Sequence, residues 1–451
     1  MIDKKVAVII CNFNKKELVL QCIDSVRALR YQNLTVYVVD NASTDGSAEA
    51  VRARFGDTVR LLVNSENLGG SGGFNTGIRE ALQSNYSYLY LLDNDVVVDP
   101  DALSVLVDYL DSHPQTAIAG SAIYSMDCPD ELQELGAVID WENYYIQPQG
   151  KGLLGNTFST EALECDYVPA CSMLVRTEAV RKVGIMDESN FIYWDDIEWG
   201  HRMKQAGYQV AVVPSSRVWH KMGVAQRSNT FGTYYFWRNR LNFFLRNIAD
   251  ADVSRFTEKM FSELFQALYS CNFNQKYRSA RTIMFAVEDA LNNVRGKAPE
   301  ERVVEADLVV PKLEEMLRDK AEILIVDFES IKTVRDVVNR IRTLRPDLAV
   351  TLAARYHDLR MLEGQFPETK IIPWNQAVFK EYPVVVQICR HVMELGNEVE
   401  PGIYIDQFLN VAGSPRDFEY IQNYQHVFKT FQMIYYPVFA DKVSAFRRKY
   451  L

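Results

Sequence analysis

Short apolar runs alternate with amphipathic stretches through the first hundred residues. Each apolar run is bounded by polar residues, and each amphipathic stretch repeats its apolar residues at helical spacing. The runs predict strands and the stretches predict helices, at Val6–Cys11, Leu34–Val39, Val59–Val63 and Tyr88–Leu92 for the strands and Glu17–Leu29, Ala48–Phe55 and Gly73–Gln83 for the helices. Continuous apolar strands separated by amphipathic helices predict an α/β fold with a mostly parallel sheet covered on both faces.

The character of the sequence changes from about Tyr234. An aromatic and basic stretch reaches Asn247, and residues 251–295 are rich in Phe, Leu and Met, which predicts helices. A charged stretch from Ala298 to Glu305 is typical of a linker. Beyond it the pattern predicts a small α/β unit and a mostly helical tail, with strands at Glu322–Asp327, Ala349–Ala353 and Lys370–Pro373, a helix at Ile331–Leu344 and the tail from about Glu381 to Leu451.

The 451 residues are enough for two or three domains. We divide the chain into a main α/β domain at 1–245, a helical segment at 246–300, and a small α/β plus helical domain at 301–451. The net charge of −10 argues against general nucleic-acid binding, because an acidic surface repels phosphate backbones.

The sequence carries no apolar run of about 18 residues, so it predicts no transmembrane helix. The apolar run Val6–Cys11 is too short for a signal-peptide core and is better interpreted as a buried first strand. The seven cysteines are scattered without a CxxC pair, which favours a reducing cytoplasm without disulfides or structural zinc.

Polar clusters follow three of the predicted strands directly, at Asn12–Asn14, Asp40–Asp45 and Asp93–Asp95. Ligands of parallel sheets bind beyond the carboxyl ends of the strands, where the strand order reverses. The positions of the clusters therefore predict one ligand crevice. Asp40 at such a strand end can accept from a base N–H or a ribose hydroxyl, although the Ser, Thr and Asp residues after it also suit a plain helix cap.

A glycine-rich segment runs from Asn67 to Asn75, with four glycines within five positions. Glycines let a backbone approach phosphate or sugar oxygens closely. The segment matches neither a Walker A loop nor a dinucleotide fingerprint, so a flexible loop without a ligand is the alternative.

Asp93 and Asp95 leave an apolar strand two residues apart, with Asn94 between them. Such carboxylates suit Mg²⁺ or Mn²⁺ holding a diphosphate, whereas the alternative is a polar turn before Asp99. An unpaired buried pair would be costly, which favours the metal interpretation. His220 follows a predicted strand and is a candidate third ligand, although a lone histidine is more often structural.

An aromatic and acidic cluster spans Phe191 to Trp199 and contains Asp195 and Asp196. Acidic residues at a helix start are good caps, which explains one of the two carboxylates. The flanking aromatics indicate a sugar-binding wall. Desolvation beside such a wall raises the pKa of a carboxyl and makes it a better base near neutrality.

In this order, the clusters resemble glycosyltransferase family 2, which has the GT-A nucleotide-diphospho-sugar transferase fold. The resemblance covers roughly the first 245 residues and is specific as an ordered set. The combination of NLGGSGGF and WDDIEW is most similar to the branch of bacterial galactofuranosyltransferases and some rhamnosyltransferases. The matching segments are Val6–Asn14, Val38–Gly46, Asn67–Asn75, Leu91–Asp95, Val175–Asp187, Tyr193–Glu198 and Val218–His220.

The resemblance implies roles for individual residues. Asp196 matches the catalytic base, with Asp195 beside it in the catalytic pair. Asp93, Asp95 and His220 would hold a divalent cation, Mn²⁺ or Mg²⁺. The residues expected to bind the donor nucleotide are Asn12, Asp40, Asn67, Gly72, Gly73, Asn75, Asp93 and Arg238, and those expected to bind the acceptor are Trp194, Glu198 and Trp199. For Arg238 a solvated helix face is an equal alternative.

The resemblance departs from the family pattern at Asn94, which replaces a residue that is often acidic in this branch. The last 200 residues match no family that we recognise. No QxxRW motif occurs, which argues against a processive synthase.

The implied reaction is an inverting, metal-dependent transfer from a nucleoside-diphosphate sugar to a glycan hydroxyl. UDP-galactofuranose or another UDP-sugar is favoured, and dTDP-rhamnose is the alternative. The acceptor is expected to be a growing surface polysaccharide or polyprenyl-linked glycan, handled in the cytoplasm with peripheral contact to the inner membrane and with homo-oligomers as a further expectation. A nucleotidyltransferase would need a glycine-rich basic loop after Cys11, which is missing. A catalytically silent glycan-binding or scaffold protein is the rival of another class.

Overall fold

The structure is a computed structural model that describes residues 4–153, 159–221, 229–308, 312–326, 331–354, 362–363, 366, 369–377, 379–395 and 402–451. The chain forms two compact units. The first contains residues 1–256, 282–305 and 443–451, and the second contains 257–281 and 306–442. The division at about residues 245 and 300 stays a prediction.

The first unit is built on one mixed sheet. Its strands are β1 Val6–Asn12, β2 Leu34–Asp40, β3 Arg60–Val63, β4 Tyr88–Asp93, β5 Val96–Val98, β6 Thr116–Ser125, β7 Leu132–Glu134, β10 Leu163–Cys165, β11 Ser172–Arg176 and β12 Gln209–His220, with β8 Ala137–Asp140 and β9 Tyr145–Pro148 as a separate hairpin. Its helices are α1 Lys16–Arg27, α2 Ser47–Phe55, α3 Gly69–Ala81, α4 Ala102–Ser112, α5 Thr177–Val183, α6 Asp195–Gln205, α7 Phe231–Asn247, the start of α8 Val253–Phe273, most of α9 Tyr277–Leu291 and the end of α13 Tyr424–Tyr450.

The predicted parallel core of the sheet is confirmed. Strands β3, β2, β1 and β4 lie side by side and are all parallel. The order along the sheet is β10-β12-β6-β11-β4-β1-β2-β3, and β11 runs antiparallel to both of its neighbours, which makes the whole sheet mixed.

Alternate side chains of each central strand enter different cores. Val6, Val8 and Ile10 of β1 pack into the core on one face, whereas Ala7 and Ile9 pack into the core on the other. Successive side chains of a strand point to opposite faces of the sheet, and here both sets are apolar. Helices cover both faces, which is why the sequence of each central strand is a continuous apolar run.

The register of the parallel strands brings their polar ends together. Asn12 at the end of β1 pairs with Asp40 at the end of β2, and Cys11 pairs with Asp93 at the end of β4. The strand order reverses between β2 and β4, on either side of β1. The crevice predicted from the sequence therefore lies at this edge.

The glycine-rich segment folds as the first turns of α3, which begins at Gly69, rather than as a loop that precedes a helix at Gly73. A Cβ on Gly77 would lie 2.4 Å from Cγ2 of Ile9, and a Cβ on Gly73 would lie 2.4 Å from Sγ of Cys11. The glycines are required because α3 packs closely against β1. This tertiary packing overrides the low intrinsic helix propensity of glycine.

The stretch from Ala298 to Glu305, expected to be a linker, makes specific contacts within the first unit. The Ala298 N–H donates to the Tyr235 hydroxyl at 2.7 Å, and the Val304 N–H donates to Oγ1 of Thr230 at 3.1 Å. These contacts hold the stretch to the first unit, up to the boundary between the units at residues 305 and 306, and its interpretation as a linker stays a prediction.

The second unit contains a six-stranded sheet in the order β15-β14-β13-β16-β17-β18. All neighbouring strands are parallel except the last pair. Its elements are the greater part of α8, the start of α9, α10 Lys312–Leu317, β13 Glu322–Val326, α11 Ile331–Leu344, β14 Ala349–Ala354, β15 Lys370–Pro373, β16 Val385–Cys389, β17 Ile403–Asp406, β18 Val411–Ala412, α12 Pro415–Gln422 and the first part of α13.

The predicted small α/β unit is confirmed, but the extent of the helical tail is wrong. Three strands occupy parts of residues 385–412, and the α-helices of the tail begin only at Pro415. Asp327, the expected last residue of β13, lies outside the described residues. Across the described part of the chain, we find no helix with the length and apolar character needed to cross a membrane.

Candidate active site

A chain of amide hydrogen bonds links the ends of the three central strands. The Asn94 side chain donates to Oδ1 of Asn12 at 2.8 Å, and the Asn12 side chain donates to Oδ2 of Asp40 at 3.1 Å. The Ser43 N–H donates to the other Asp40 oxygen at 2.9 Å. An ionised acid at position 94 could not donate to Asn12. The departure at Asn94 therefore has a structural function.

Asn41 holds the connection between β3 and α3. Its amide nitrogen donates to Oδ1 of Asn67 at 3.0 Å and to the Gly69 carbonyl at 2.8 Å. Its oxygen accepts from the Leu68 N–H at 3.1 Å and from the Asn64 side chain at 3.0 Å. Asn41 was not singled out from the sequence, because nothing local distinguishes it from a capping residue.

Three expected donor residues have roles inside the protein. Asn75 is fully buried, and its amide group exchanges hydrogen bonds with the Met186 backbone at 2.9 and 3.1 Å. Gly72 and Gly73 lie within α3, and a Cβ on Gly72 would meet the Leu68 side chain. Gly70 is the glycine beside the acidic pair, where an added Cβ would lie 3.6 Å from Oδ2 of Asp195.

Asp93, Asp95 and His220 come together. One ligand atom from each lies within 4.8 Å of those of the other two. Burial, the Asp95 charge and the Asp196 charge raise the pKa of Asp93 to about 6, against the lowering effect of His220. Two carboxylates and an imidazole at this spacing fit a divalent cation such as Mn²⁺ or Mg²⁺, which would relieve the repulsion between the carboxylates.

Gln133 fixes the proton on His220. Its amide nitrogen donates to the His220 carbonyl at 2.8 Å, and a carbonyl can only accept. The other amide atom, Oε1, therefore faces Nδ1 of the ring at 3.2 Å, so Nδ1 carries the proton at this contact. Nε2 is then the ring nitrogen that faces Asp95, with Oδ1 at 3.2 Å. It donates to this carboxylate in the protonated ring, and a bound cation would take the place of that proton.

Lys15 adds a positive charge beside the two carboxylates of this cluster. Its ammonium lies 2.6 Å from Oδ2 of Asp95. Burial raises the pKa of Asp95, but the hydrogen bonds and charges of His220 and Lys15 outweigh burial and lower it. The pKa of His220 is raised, because the hydrogen bond to Asp95 and the Asp93 charge exceed the opposing effect of burial.

The acidic pair follows a backbone segment of unusual conformation. Phe191, Tyr193 and Trp194 have φ values of 66°, 61° and 68°. Such values are uncommon for residues other than glycine and are sustained only where surrounding contacts impose them. The segment leads directly into α6, whose first residues are Asp195 and Asp196.

The two carboxyls differ in environment. Burial raises the pKa of Asp196 to about 6, against hydrogen bonds from the Ile197 N–H at 2.8 Å and the Ala170 N–H at 3.4 Å. Burial and the Asp196 charge raise the pKa of Asp195 well above its ordinary value. Asp196 is therefore the member of the pair that ionises more readily and is suited to accept a proton near neutrality.

Asn239 of α7 holds the backbone of residues 190–193 by hydrogen bonds. Its side-chain amide donates to the carbonyls of Asn190, Ile192 and Tyr193 at 2.8, 2.8 and 2.9 Å. One side chain thereby contacts three carbonyls within residues 190–193, just before the acidic pair. We therefore assign Asn239 a positioning role.

The position of Arg238 does not support a donor phosphate contact or a solvated helix face. The side chain is fully buried, and its guanidinium donates to the Gly296 carbonyl at 2.7 Å and the Asn190 carbonyl at 3.1 Å. It also lies over the rings of Tyr234 and Tyr235. Because these partners occupy the guanidinium, Arg238 supports the same backbone segment as Asn239.

Two of the expected acceptor residues, Trp194 and Trp199, are buried. Trp194 is buried among Phe236, Phe243 and Phe244. Trp199 is fully buried in the core and donates to the Gly184 carbonyl at 2.9 Å, which leaves no exposed surface for an acceptor.

Glu198 is half-buried in the first turn of α6. Its Oε1 accepts from the Arg202 guanidinium at 2.6 Å. Burial raises the pKa of this carboxyl, although Arg202 acts in the opposite direction. Its role as an acceptor residue stays a prediction.

Glu134 is an acidic neighbour of the site that sequence reasoning missed. It ends β7 and forms a hydrogen bond with the Tyr167 hydroxyl. Burial raises the pKa of Glu134 to about 7, and the charge of Asp196 adds to the rise. No motif surrounds Glu134, and its position depends on the pairing of β7 with β6.

The sheet order and the carboxylates beyond its central strands define the α/β arrangement of the GT-A fold. Residues 7–182 match the sequence model of glycosyl transferase family 2. The match lies within the region that resembles this family in the sequence.

Two curated relatives illustrate the branch. The galactofuranosyltransferase GlfT2 of Mycolicibacterium smegmatis is 26% identical over 263 residues, which cover 52% of this chain and 40% of the relative. The N-acetylglucosaminyl-diphospho-decaprenol L-rhamnosyltransferase of Mycobacterium tuberculosis is 26% identical over 204 residues, or 42% of this chain and 66% of the relative. The match thus spans less than half the length of the galactofuranosyltransferase.

A solved structure with detectable similarity is that of GalNAc-T7 with UDP, GalNAc and Mn²⁺. It is 16% identical with a TM-score of 0.43, and the match covers 53% of this chain and 47% of that one.

Proposed function

We propose that this protein is an inverting, metal-dependent glycosyltransferase that transfers a sugar from a nucleoside diphosphate to a hydroxyl of a bacterial glycan. The observation that carries the proposal is the cluster of Asp93, Asp95 and His220 at the strand-order reversal, with Asp196 close enough for its charge to raise the pKa of Asp93. The match of residues 7–182 to the sequence model of glycosyl transferase family 2 supports this interpretation.

UDP-galactofuranose or another UDP-sugar is the favoured donor, and dTDP-rhamnose is the second candidate. Relatives with galactofuranosyltransferase and rhamnosyltransferase names support these choices. The acceptor is a growing surface polysaccharide or a polyprenyl-linked glycan. A lipid-linked acceptor would bring the protein into peripheral contact with the inner membrane.

A divalent cation held by Asp93, Asp95 and His220 would supply positive charge to the departing nucleoside diphosphate. Asn12 and Asp40 lie beside this cluster at adjacent strand ends and are suited to hold the nucleoside. Gln133 keeps the His220 ring in the tautomer that offers Nε2.

Asp196 acts as the general base. A carboxylate oxygen takes the proton of the acceptor hydroxyl while the hydroxyl oxygen attacks the anomeric carbon on the face opposite the leaving phosphate. Attack from that face inverts the anomeric configuration. Asn239 and Arg238 maintain the position of Asp196 by fixing the preceding backbone.

Thermal unfolding with UDP, dTDP, GDP and CDP, each with Mn²⁺ or EDTA, tests the donor site. A ligand at 100 times its Kd stabilises the native state by about 2.7 kcal/mol, which raises the Tm by several degrees. We expect a Mn²⁺-dependent rise with UDP, or with dTDP if rhamnose is the sugar. The Asp95→Asn variant should lose it. A rise that is unchanged by EDTA would contradict the metal site, and no rise with any nucleotide would favour a binding or scaffold function.

A further inference from the structure

Lys15 immediately precedes α1, which begins at Lys16, and follows the short loop after β1. The backbone around it is fixed to the connection between β2 and α2. The Asn14 N–H donates to Oγ of Ser43 at 3.0 Å, and the Lys16 N–H donates to Oδ2 of Asp45 at 2.9 Å. The flexible four-carbon side chain is therefore the part of Lys15 that can change position.

Both oxygens of Asp95 already have cationic or imidazole partners. Oδ2 lies 2.6 Å from the Lys15 ammonium, and Oδ1 lies 3.2 Å from Nε2 of His220. His220 is itself a member of the candidate ligand set, so it can stay when a cation binds. Lys15 cannot ligate a cation, because an ammonium has donors and no acceptor.

The Lys15 ammonium and a divalent cation would thus meet at one carboxylate with charges of the same sign. Coulomb repulsion at such a distance is substantial even where solvent screens it in part. The side chain of Lys15 is 37% exposed, which gives the ammonium a route away from Asp95. A nucleoside diphosphate bound to the same cation would offer phosphate oxygens as new partners for the ammonium.

We propose that Lys15 is an internal counter-ion that competes with the divalent cation for Asp95 and moves to the diphosphate of the donor when both bind. The inference rests on the proposed donor and metal site. Lys15 opposes the binding of the cation alone and favours the binding of the cation with its nucleotide. The two ligands therefore bind cooperatively, which limits occupation of the site by either one alone.

Mn²⁺ binding measured by the paramagnetic resonance of the free ion, with and without UDP or dTDP, tests this role. In Lys15→Met, Mn²⁺ alone should bind about three- to tenfold more tightly, because an ion pair whose lysine is partly exposed is worth about 1 kcal/mol. The nucleotide that binds the wild type should bind Lys15→Met with Mn²⁺ about tenfold more weakly. Lys15→Arg should keep the wild-type pattern.

Lys16→Met is the matched control, since the neighbouring lysine starts α1 and should leave both affinities unchanged. Lys15→Gln replaces Lys15→Met if the latter does not fold by circular dichroism. Unchanged or weaker Mn²⁺ binding in the Lys15 variants, or unchanged nucleotide binding, would overturn the proposal while leaving the metal site intact. If the wild type binds neither Mn²⁺ nor nucleotide, the proposed function fails and this inference fails with it.

Discussion

Replacing Gln133 by leucine tests whether the metal site depends on the orientation of His220. Leucine has a similar volume but can neither accept from Nδ1 nor donate to the His220 carbonyl. The ring would lose the contact that keeps the proton on Nδ1 and that directs Nε2 towards Asp95 and the cation site. We expect weaker binding of Mn²⁺ with little loss of folding stability.

The magnitude follows from the two hydrogen bonds at 2.8 and 3.2 Å. At about 1 kcal/mol each, their loss corresponds to roughly 30-fold in affinity, within the range of 10- to 100-fold typical of partners that orient metal ligands. The His220 carbonyl keeps a second donor, because the Met126 N–H lies 3.1 Å from it. Folding stability should therefore fall by only about 1 kcal/mol.

Mn²⁺ titration followed by paramagnetic resonance gives the affinity, and thermal unfolding in EDTA gives the stability. Gln115→Leu is the control, since Gln115 is an exposed glutamine away from the site. Equal Mn²⁺ affinity in Gln133→Leu and the wild type would refute the reasoning about the tautomer. A large loss of stability in EDTA would show instead that Gln133 acts mainly in folding.

Asp196→Asn should reduce transfer by about 10²- to 10⁴-fold while nucleotide affinity, measured by calorimetry, stays unchanged. Burial raises the pKa of Asp196 to about 6, and the base must be ionised to accept a proton. The kcat should therefore fall about tenfold per pH unit below about pH 6 and level off above it. A flat profile from about pH 5 to 8 would contradict the assignment. Asn239→Leu removes the three contacts of the amide nitrogen with carbonyls and the hydrogen bond that Oδ1 accepts from Arg238. The variant should lower stability by about 2–4 kcal/mol and reduce transfer, as thermal unfolding and activity would show. Gly77→Ala places a methyl 2.4 Å from Ile9 and should lower stability by about 1–3 kcal/mol in denaturant unfolding.

Part of the site could be predicted from the sequence, because ligands of parallel sheets bind beyond the carboxyl ends of the strands. Asp93, Asp95 and His220 were predicted to meet, and the structure brings them within 4.8 Å. Gln133 could not be predicted, because its contact with His220 depends on the pairing of β7 with β6 and on a neighbour 87 residues away. The burial of Arg238 depends likewise on Gly296, which is distant in sequence.

In the fold too, elements with a local sequence pattern were predicted, whereas those that depend on tertiary packing were not. Apolar runs revealed the central strands, since both faces of those strands are covered. The glycine-rich start of α3 was missed because its helical conformation comes from packing against β1. For β16, the valine run before Gln387 was a usable strand signal, and the helical interpretation of the tail overlooked it.

Formation of a glycosidic product tests the central claim most directly. UDP-galactofuranose and dTDP-rhamnose would each be incubated with a synthetic polyprenyl diphosphate-linked glycan, and the anomeric configuration of the product would be read by NMR. We predict a Mn²⁺-dependent product from one donor, inverted relative to that donor and formed at least about 100-fold more slowly by Asp196→Asn. A product of retained configuration would contradict the account. So would wild-type turnover by Asp196→Asn, or turnover by the wild type that is unchanged in EDTA.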